Sequence, residues 1–539
     1  MPRWARAVAV VAVAVLCARV LHAMYDKSPC NDEPKHLITG HTFWRTRLCC
    51  LGGNNTPMTA LYAIPEVVAD TPIRSHSLPV VHRRYLRARL VNLPFLILLA
   101  TTVFLASRQL FRWPGGLLSL VLLSFSPNVA AHAALVSPDF QVAVFFLPAC
   151  LALAMLVRGA QPWRAMLFAG VALALAVLAK FSGLALAPAF LIVPVMFGGG
   201  GWRARCRRLA LGAGALVIGF LSIQAVYELP FLILGPHLVR DVGGLDRDLD
   251  RLPYRPSELK QMIEGGNHGF GFFAGVAGTR ASVSEGYGTY LNGKVGEKQW
   301  LYYPEAVLLK TPLPILVLGA WALWRLRRRW REPMIVALLA GACFLGGGAM
   351  IGKLQLGVRH LLPIYPVMFV LAGACLQREP GRWVPRVVLL LLVPWAVFEG
   401  VRYHPHYLAY FNQLAGGPEH GARFLAADNL DWGQDLRNLR KFQLEHATGK
   451  IALRYFGSVP AYRYDISFDL LTSQPTAGWI AISRTSLVCE MELIDTGATH
   501  GGVKRRAFAW LDRFEPVALV GYSIAVYHIT EAELRRAGY

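Results

Sequence analysis

Eleven separate apolar runs, each about long enough to cross a bilayer as a helix, leave this chain few ways to fold. They fall at 7–24, 89–107, 114–132, 140–157, 163–179, 183–198, 209–228, 302–324, 333–351, 360–376 and 386–402. A soluble core does not absorb so much apolar sequence: 55% of the 539 residues are hydrophobic, 16% are charged and the mean hydropathy is +0.40. In hydrocarbon, backbone polar groups must be satisfied within the span, so the expected fold is an all-α polytopic membrane domain of about eleven transmembrane helices. The net charge of +22 comes in short Lys and Arg clusters between the runs, with no basic domain and no nucleic-acid motif. That pattern excludes nucleic-acid binding and marks membrane orientation.

Alternation places five short basic connections on one side: Arg108 to Arg112, Arg158 to Arg164, Arg203 to Arg208, Arg325 to Arg331 and Arg378 to Arg386. The positive-inside rule makes that side cytoplasmic, together with Arg3 and Arg6 at the amino terminus. The expected setting is an integral protein of a bacterial inner membrane. A transmembrane domain over 1–402 would carry outer loops at 25–88 and 229–301. A small extracytoplasmic, or periplasmic, α+β domain would follow at 403–539. Its predicted elements are a helix at Leu436 to Glu445 and strands at Ile451 to Phe456, Trp479 to Ile482 and Val517 to Ile529. The first run also has the outline of a cleaved signal peptide, but it is long for a signal core and is expected to be a retained span. Of nine cysteines, five fall in or beside the runs and Cys30, Cys49, Cys50 and Cys489 are expected on the outer side, which leaves a disulfide from Cys30 to Cys49 or Cys50 open.

Chemistry concentrates just past the first run, in Cys30-Asn31-Asp32-Glu33-Pro34-Lys35-His36. Pro34 suits the first turn of a helix, and Asp32 or Glu33 would serve equally as its cap. A third carboxylate, Asp139 of Ser137-Pro138-Asp139, belongs to the outer turn at the same membrane face. Cations interrupt apolar sequence on that side at Lys180, Lys310, Lys353 and Arg359. Each can be explained by snorkelling, but four at one face suggest a lipid phosphate drawn to the surface. A carboxylate to accept a hydroxyl proton and cations to hold a departing phosphate are the parts needed to displace a phosphate from a sugar carbon. The expected catalytic residues are therefore Asp32, Glu33 and Asp139, with Asp32 as general base, and the donor phosphate would be bound by Lys180, Lys310, Lys353 and Arg359.

Longer motifs sharpen this. Asp32-Glu33-Pro34-Lys35-His36-Leu37, Lys180-Phe181-Ser182, Tyr303-Pro304-Glu305-Ala306, Lys310-Thr311-Pro312-Leu313-Pro314, Gly357-Val358-Arg359-His360-Leu361-Leu362-Pro363, Tyr407-Leu408-Ala409-Tyr410-Phe411-Asn412 and Asn429-Leu430-Asp431-Trp432-Gly433-Gln434-Asp435-Leu436 occur in this order. Together they resemble the C-type polytopic glycosyltransferases, the superfamily of protein O-mannosyltransferases and the lipid A aminoarabinose transferase. The chain is most like bacterial phospholipid-carrier-dependent glycosyltransferases. The resemblance implies a sugar donor linked to polyprenyl phosphate, inversion at the sugar carbon, and an acceptor hydroxyl on an unknown lipid, glycan or protein. It departs at Asn54-Asn55-Thr56-Pro57-Met58, where relatives carry a Glu-His-Pro-Pro-Leu type segment, and this leaves the acceptor open. No cofactor is required by the spacing; a divalent cation, if used, would fall to Asp32, Glu33 and Asp139. His404 and His406 beside Pro405 are read as an ordinary loop. Asp431, Trp432 and Asp435 are expected to be structural or to line the acceptor side.

A transporter or flippase of a lipid-linked saccharide is the rival from another class, since eleven spans would serve it too. It would more often show repeated halves and mid-membrane sites, and neither is apparent. The topology itself is testable: reporter fusions at Gly200, Arg329 and Arg382 should report a cytoplasmic location and one at Gly449 an external one. A cytoplasmic signal at Gly449 would overturn the odd number of crossings.

Overall fold

In the computed structural model, residues 1–46, 56–69, 78–234, 271–286, 288–377, 384–494 and 503–539 are described. The apolar runs are helical over nearly their whole length, for the reason anticipated: only a helix satisfies its own backbone without water. Six helices are long and apolar enough to cross a membrane: Arg3–Asp26, His82–Ser124, Pro138–Arg158, Pro162–Ala179, Trp202–Tyr227 and Pro333–Ile351. The molecule is thus an integral membrane protein with a mostly helical body.

Several runs are not the straight single spans expected. The run 302–324 is broken into helices Tyr302–Lys310 and Leu313–Leu326, bent by 114°. Pro312 supplies the reason, because a residue before proline is pushed out of the α region, and Thr311 is extended at ψ 132. The run 183–198 divides into a 3-10 turn, Phe181–Leu186, and a helix, Ala187–Phe197. The two runs at 89–107 and 114–132 are limbs of one chain that doubles back at Phe111 and Arg112, where Arg112 takes φ 62 just before Pro114. Small residues let the limbs touch: Ser119 Oγ donates to Ser107 Oγ at 2.8 Å, and Gly115 and Gly116 lie against Phe111 and Phe104. By length and composition the described residues hold six such helices, or seven with the bent pair as one span, and one of them comprises the two doubled-back limbs.

The helix Pro138–Arg158 is the most enclosed, with 83% of its most apolar window buried. Its start is set by Ser137, whose hydroxyl accepts from the Asp139 amide at 3.3 Å, and its end by Gly159 in the left-handed region at φ 70. The first helix packs on the doubled-back limbs and on the short helix Pro127–Ala133, and buries Leu16, Val20, Ala23 and Met24. Arg19 of that helix is tied to the carbonyls of Ser124 and Gly400.

The carboxy-terminal region contains the expected helix, Leu436–Glu445, on a five-stranded mixed sheet. The strand order is Phe468–Leu470, Ile451–Arg454, Gly478–Ser483, Ile524–Ile529, Ala518–Val520; the first three are mutually parallel and the last two pair antiparallel. The run Val517 to Ile529, expected as one strand, is two, because Gly521 and Tyr522 turn the chain at φ 60 and 62. A β-carbon on Gly373 would fall 2.3 Å from Ser107 Oγ and 2.7 Å from the Phe111 ring, at the closed end of the doubled-back limbs. Gly373→Leu should therefore cost roughly 1–3 kcal/mol, read as a lower unfolding temperature in detergent micelles.

Candidate functional site

The first helix ends at Asp26, and the loop that follows is fastened to the carboxy-terminal region rather than lying free on a surface. Ser28 N donates to Gln434 O at 3.0 Å, Asn31 N to Trp432 O at 2.8 Å and Leu436 N to Ser28 Oγ at 3.0 Å. Lys27 is buried against Asp435, with Nζ 2.6 Å from Oδ1. Asp32 and Glu33 therefore sit between the membrane helices and the tail.

The two adjacent carboxylates have different fates. Glu33 is 1% exposed, and both its oxygens are taken by Arg89, with Nε at 2.8 Å from Oε1 and Nη2 at 2.6 Å from Oε2. Cys30 N and Val136 N complete the set at 2.7 and 2.8 Å. The expectation that Glu33 works beside Asp32 as a catalytic group is corrected: a carboxylate holding four donors has none left for a substrate. It instead brackets the first loop to the turn that carries Asp139. Asn92 supports the same turn by donating to Ala133 O and Leu135 O at 2.9 and 2.8 Å.

Asp32, whose side chain is 34% exposed, points to Arg359, with Oδ2 3.2 Å from Nη1. Asp139 comes to the same nitrogen at 3.5 Å, receives 2.7 Å donation from Ser137 Oγ, and pairs with Lys180. Arg359 lies in the turn Val358–Leu361, is 6% exposed, and donates through Nε to Leu356 O at 3.1 Å. Its other edge faces Asp428, with Nη2 2.9 Å from Oδ2, and its guanidinium carbon lies 4.3 Å from the Trp432 ring centre. Thus Asp32, Asp139, Lys180 and Arg359, distant in sequence, are brought together as expected. Asp428 joins them unforeseen.

The other predicted cations do not join. Lys310 is 1% exposed at the end of its short helix, where Nζ donates to Leu408 O at 2.8 Å and to Asn429 O, 4.4 Å from the Phe411 ring centre. Its assignment to the donor phosphate is corrected, because the break at Pro312 leaves its ammonium inside protein as a tie between the bent helix and the tail. Lys353 is exposed, and among the described residues no ion pair links it to the cluster. In the tail, Asp431 is fully buried and accepts from Gly433 N and Thr485 N at 3.1 and 3.2 Å. Asp435 accepts from Ser523 Oγ at 2.7 Å and Asn438 Nδ2 at 2.8 Å as well as from Lys27. Both carboxylates are thus engaged by protein donors, whereas Trp432 is the face on which Arg359 rests.

Burial sets the electrostatics. It pushes Asp428 up to about 6 despite Arg359 beside it, and Asp431 up to about 7 against two amide donors. Burial also lowers His36 to about 4, although Asp32 and Asp139 act to raise it. For Arg359, burial alone would lower the pKa, and Asp428, Asp139 and Asp32 together hold it above its ordinary value. The donor set expected for a divalent ion does not fit one: Glu33 is committed to Arg89, and a guanidinium nitrogen stands where Asp32 and Asp139 converge. Among the described residues no cluster of three or more His, Cys, Asp or Glu is arranged to hold a metal. His404 contacts His22 and Tyr407, and His406 contacts Lys27, as parts of a packed loop. Cys30 is buried and forms no disulfide among the described residues; Cys49, Cys50 and the stretch 54–55 lie outside them.

Residues 77–227 match the family model for dolichyl-phosphate-mannose-protein mannosyltransferase. That match covers 151 of the 539 residues and lies in the class of enzyme that the motifs resemble. The matched segment holds Arg89, Asn92, Asp139 and Lys180. Among solved structures, ArnT from Cupriavidus metallidurans bound to undecaprenyl phosphate is 13% identical at a TM-score of 0.49, covering 96% of this chain and 97% of that one. ArnT from the same organism in the apo state is 16% identical at 0.44, covering 74% and 67%. AglB from Archaeoglobus fulgidus, in complex with an inhibitory peptide and a dolichol-phosphate, is 14% identical at 0.45; the alignment covers 74% of this chain and 56% of that one. A search of curated proteins finds no match.

Two functional contacts escaped sequence reasoning. Asp428 stands in Ala427-Asp428-Asn429, directly before a motif already singled out, and its proximity to that motif was the available signal. Arg89 opens the apolar run 89–107, and nothing in spacing pairs it with Glu33. Because removal of one member of a buried pair leaves the other charge uncompensated, Glu33→Gln should destabilise the protein by about 3–5 kcal/mol. Thermal unfolding of the purified variant measures this, and an unchanged midpoint would return Glu33 to the list of candidate reacting groups.

Proposed function

We propose that this protein transfers a sugar from a polyprenyl-phosphate carrier to an acceptor hydroxyl at the outer face of the membrane, with inversion at the sugar carbon. The observation that carries the reading is one guanidinium, Arg359, joining Asp32 of the first loop to Asp139 in the first turn of its helix, with Asp32 the part that is open to solvent. The order of motifs and the family match over 77–227 support the same class. Which sugar moves, hexose or pentose, and which acceptor takes it are left to experiment.

In this reading Asp32 removes the proton from the acceptor hydroxyl as the oxygen attacks the anomeric carbon. The bond from that carbon to the phosphate oxygen breaks in the same step, and the electron pair leaves with the polyprenyl phosphate. Arg359 and Lys180 lie beside Asp139 to hold the departing charge, and a guanidinium fork suits two phosphate oxygens. Phosphate is already a good leaving group, so a covalent enzyme intermediate would add little. Asp139, held by Lys180 and Ser137 at a helix amino terminus, is better placed to orient Arg359 than to take a proton. Positive-inside charge places the amino terminus in the cytoplasm and this end of the bundle outside, in keeping with a bacterial inner membrane.

Mass spectrometry of envelope fractions with and without the gene identifies the missing sugar increment and so supplies the assay. In that assay Asp32→Asn should slow transfer roughly a hundredfold or more while unfolding temperature and lipid-phosphate affinity stay near wild type. Asn caps a helix almost as well as Asp, so full activity in this variant would sink Asp32 as the base.

A further inference from the structure

Two cations, Arg359 and Lys180, face three carboxylates, Asp32, Asp139 and Asp428, and the three are unequally held. Asp32 is partly solvated at 34% exposure, and Asp139 has Lys180 and Ser137 besides Arg359. Asp428 has a side chain only 7% exposed, and among the described contacts its single charged partner is Arg359. Even there Oδ2, 2.9 Å from Nη2, is off the alignment of a hydrogen bond. It is presented on a tight turn, with Ala427 at φ 49, and its Cβ lies 3.1 Å from where a side chain on Gly357 would begin. A phosphate that takes the fork of Arg359 meets Asp32 and Asp139 on Nη1 and the weakly held Asp428 on Nη2.

We propose that Asp428 is an exchangeable counter-ion of Arg359, displaced from Nη2 by the phosphate of the donor and neutralised by a proton as it leaves. The inference rests on the donor class given above. The charge balances: one negative phosphodiester enters, one carboxylate becomes a carboxylic acid, and the proton comes from solvent. Without that proton an unpaired carboxylate would be left buried beside an anion, which is strongly unfavourable. The groups facing Asp428 are Arg359 from its own turn, Asp32 from the first loop, Asp139 from the helix Pro138–Arg158, Lys180 from the end of Pro162–Ala179, and Tyr302 and Tyr303 from Tyr302–Lys310. Burial already holds Asp428 up to about 6, so the empty site carries it ionised at pH 7.5, and displacement by an anion raises it further. The sign follows: binding is tightest below pH 6 and weakens as pH rises, because each ligand bound must bring a proton.

The probe is undecaprenyl methyl phosphate, a diester with one fixed negative charge, so that the ligand does not titrate in the range used. Calorimetric titration at pH 7.5 in buffers of different ionisation enthalpy counts protons taken up. Wild-type protein should take up close to one proton per ligand, and its Kd should rise roughly twentyfold from pH 5.5 to 7.5. Asp428→Asn should take up almost none and lose that pH dependence; Asp428→Glu, which keeps a carboxyl at the same turn, should retain both. Equal uptake in wild type and Asp428→Asn, or none in wild type, overturns the exchange while leaving a donor site intact. Failure of wild type to bind the diester at all overturns the donor class and the exchange with it. Binding with the predicted uptake but no sugar transfer in the envelope assay would instead leave the exchange standing and remove the transferase reading.

Discussion

Everything at the candidate site depends on keeping the charge of Arg359 in a place almost closed to water. A guanidinium is weakly hydrated and planar, so it tolerates burial better than an ammonium, yet it still needs its edges and face occupied. Here the Nη1 edge meets Asp32 and Asp139, the Nη2 edge meets Asp428, Nε meets a carbonyl and the face lies on Trp432. These partners come from the first loop, a helix start and the carboxy-terminal region. One buried cation therefore holds together parts of the chain separated by hundreds of residues, and the tail becomes part of the membrane site.

The second buried pair has another task. Glu33 and Arg89 join helix to helix, and through Val136 N they set the turn before Asp139. Buried pairs of this kind are weak sources of net stability but strict about geometry, since neither member can leave without exposing the other. The contrast between Glu33 and its neighbour Asp32 is an effect of direction: Glu33 opens the helix Glu33–Thr46 and turns inward to Arg89, and Asp32, one residue earlier, turns to Arg359 and stays partly open to solvent. Lys310 shows the same principle with opposite charge, its ammonium held by carbonyls of the tail rather than by an anion.

Much of this was legible in the sequence, and the limits are instructive. Hydrophobic runs located the helices because burial in lipid demands apolar side chains and a self-satisfied backbone, and neither demand depends on partners. Their continuity was less legible: the bend at Pro312 and the fold-back at Arg112 are local breaks inside stretches whose composition never changes. Asp32, Asp139, Lys180 and Arg359 could be grouped because alternation puts them at one end of the bundle. Asp428 could not, since a polar tail offers many carboxylates and no period that marks one of them. Lys310 was misjudged because snorkelling, phosphate binding and backbone ties all place a lysine next to apolar sequence.

What the sequence determined by itself is the class of molecule, the end of the bundle that bears the chemistry and the loop that supplies the exposed carboxylate, because these follow from hydropathy, charge asymmetry and short-range turn chemistry. The tertiary structure alone decided which carboxylate is partly open to solvent and which is sequestered, which lysine faces an anion and which a carbonyl, and that three acids share one arginine. Those outcomes turn on distances of a few ångströms between residues far apart in the chain, where pairing energy depends on burial and direction, and neither quantity is written in residue order.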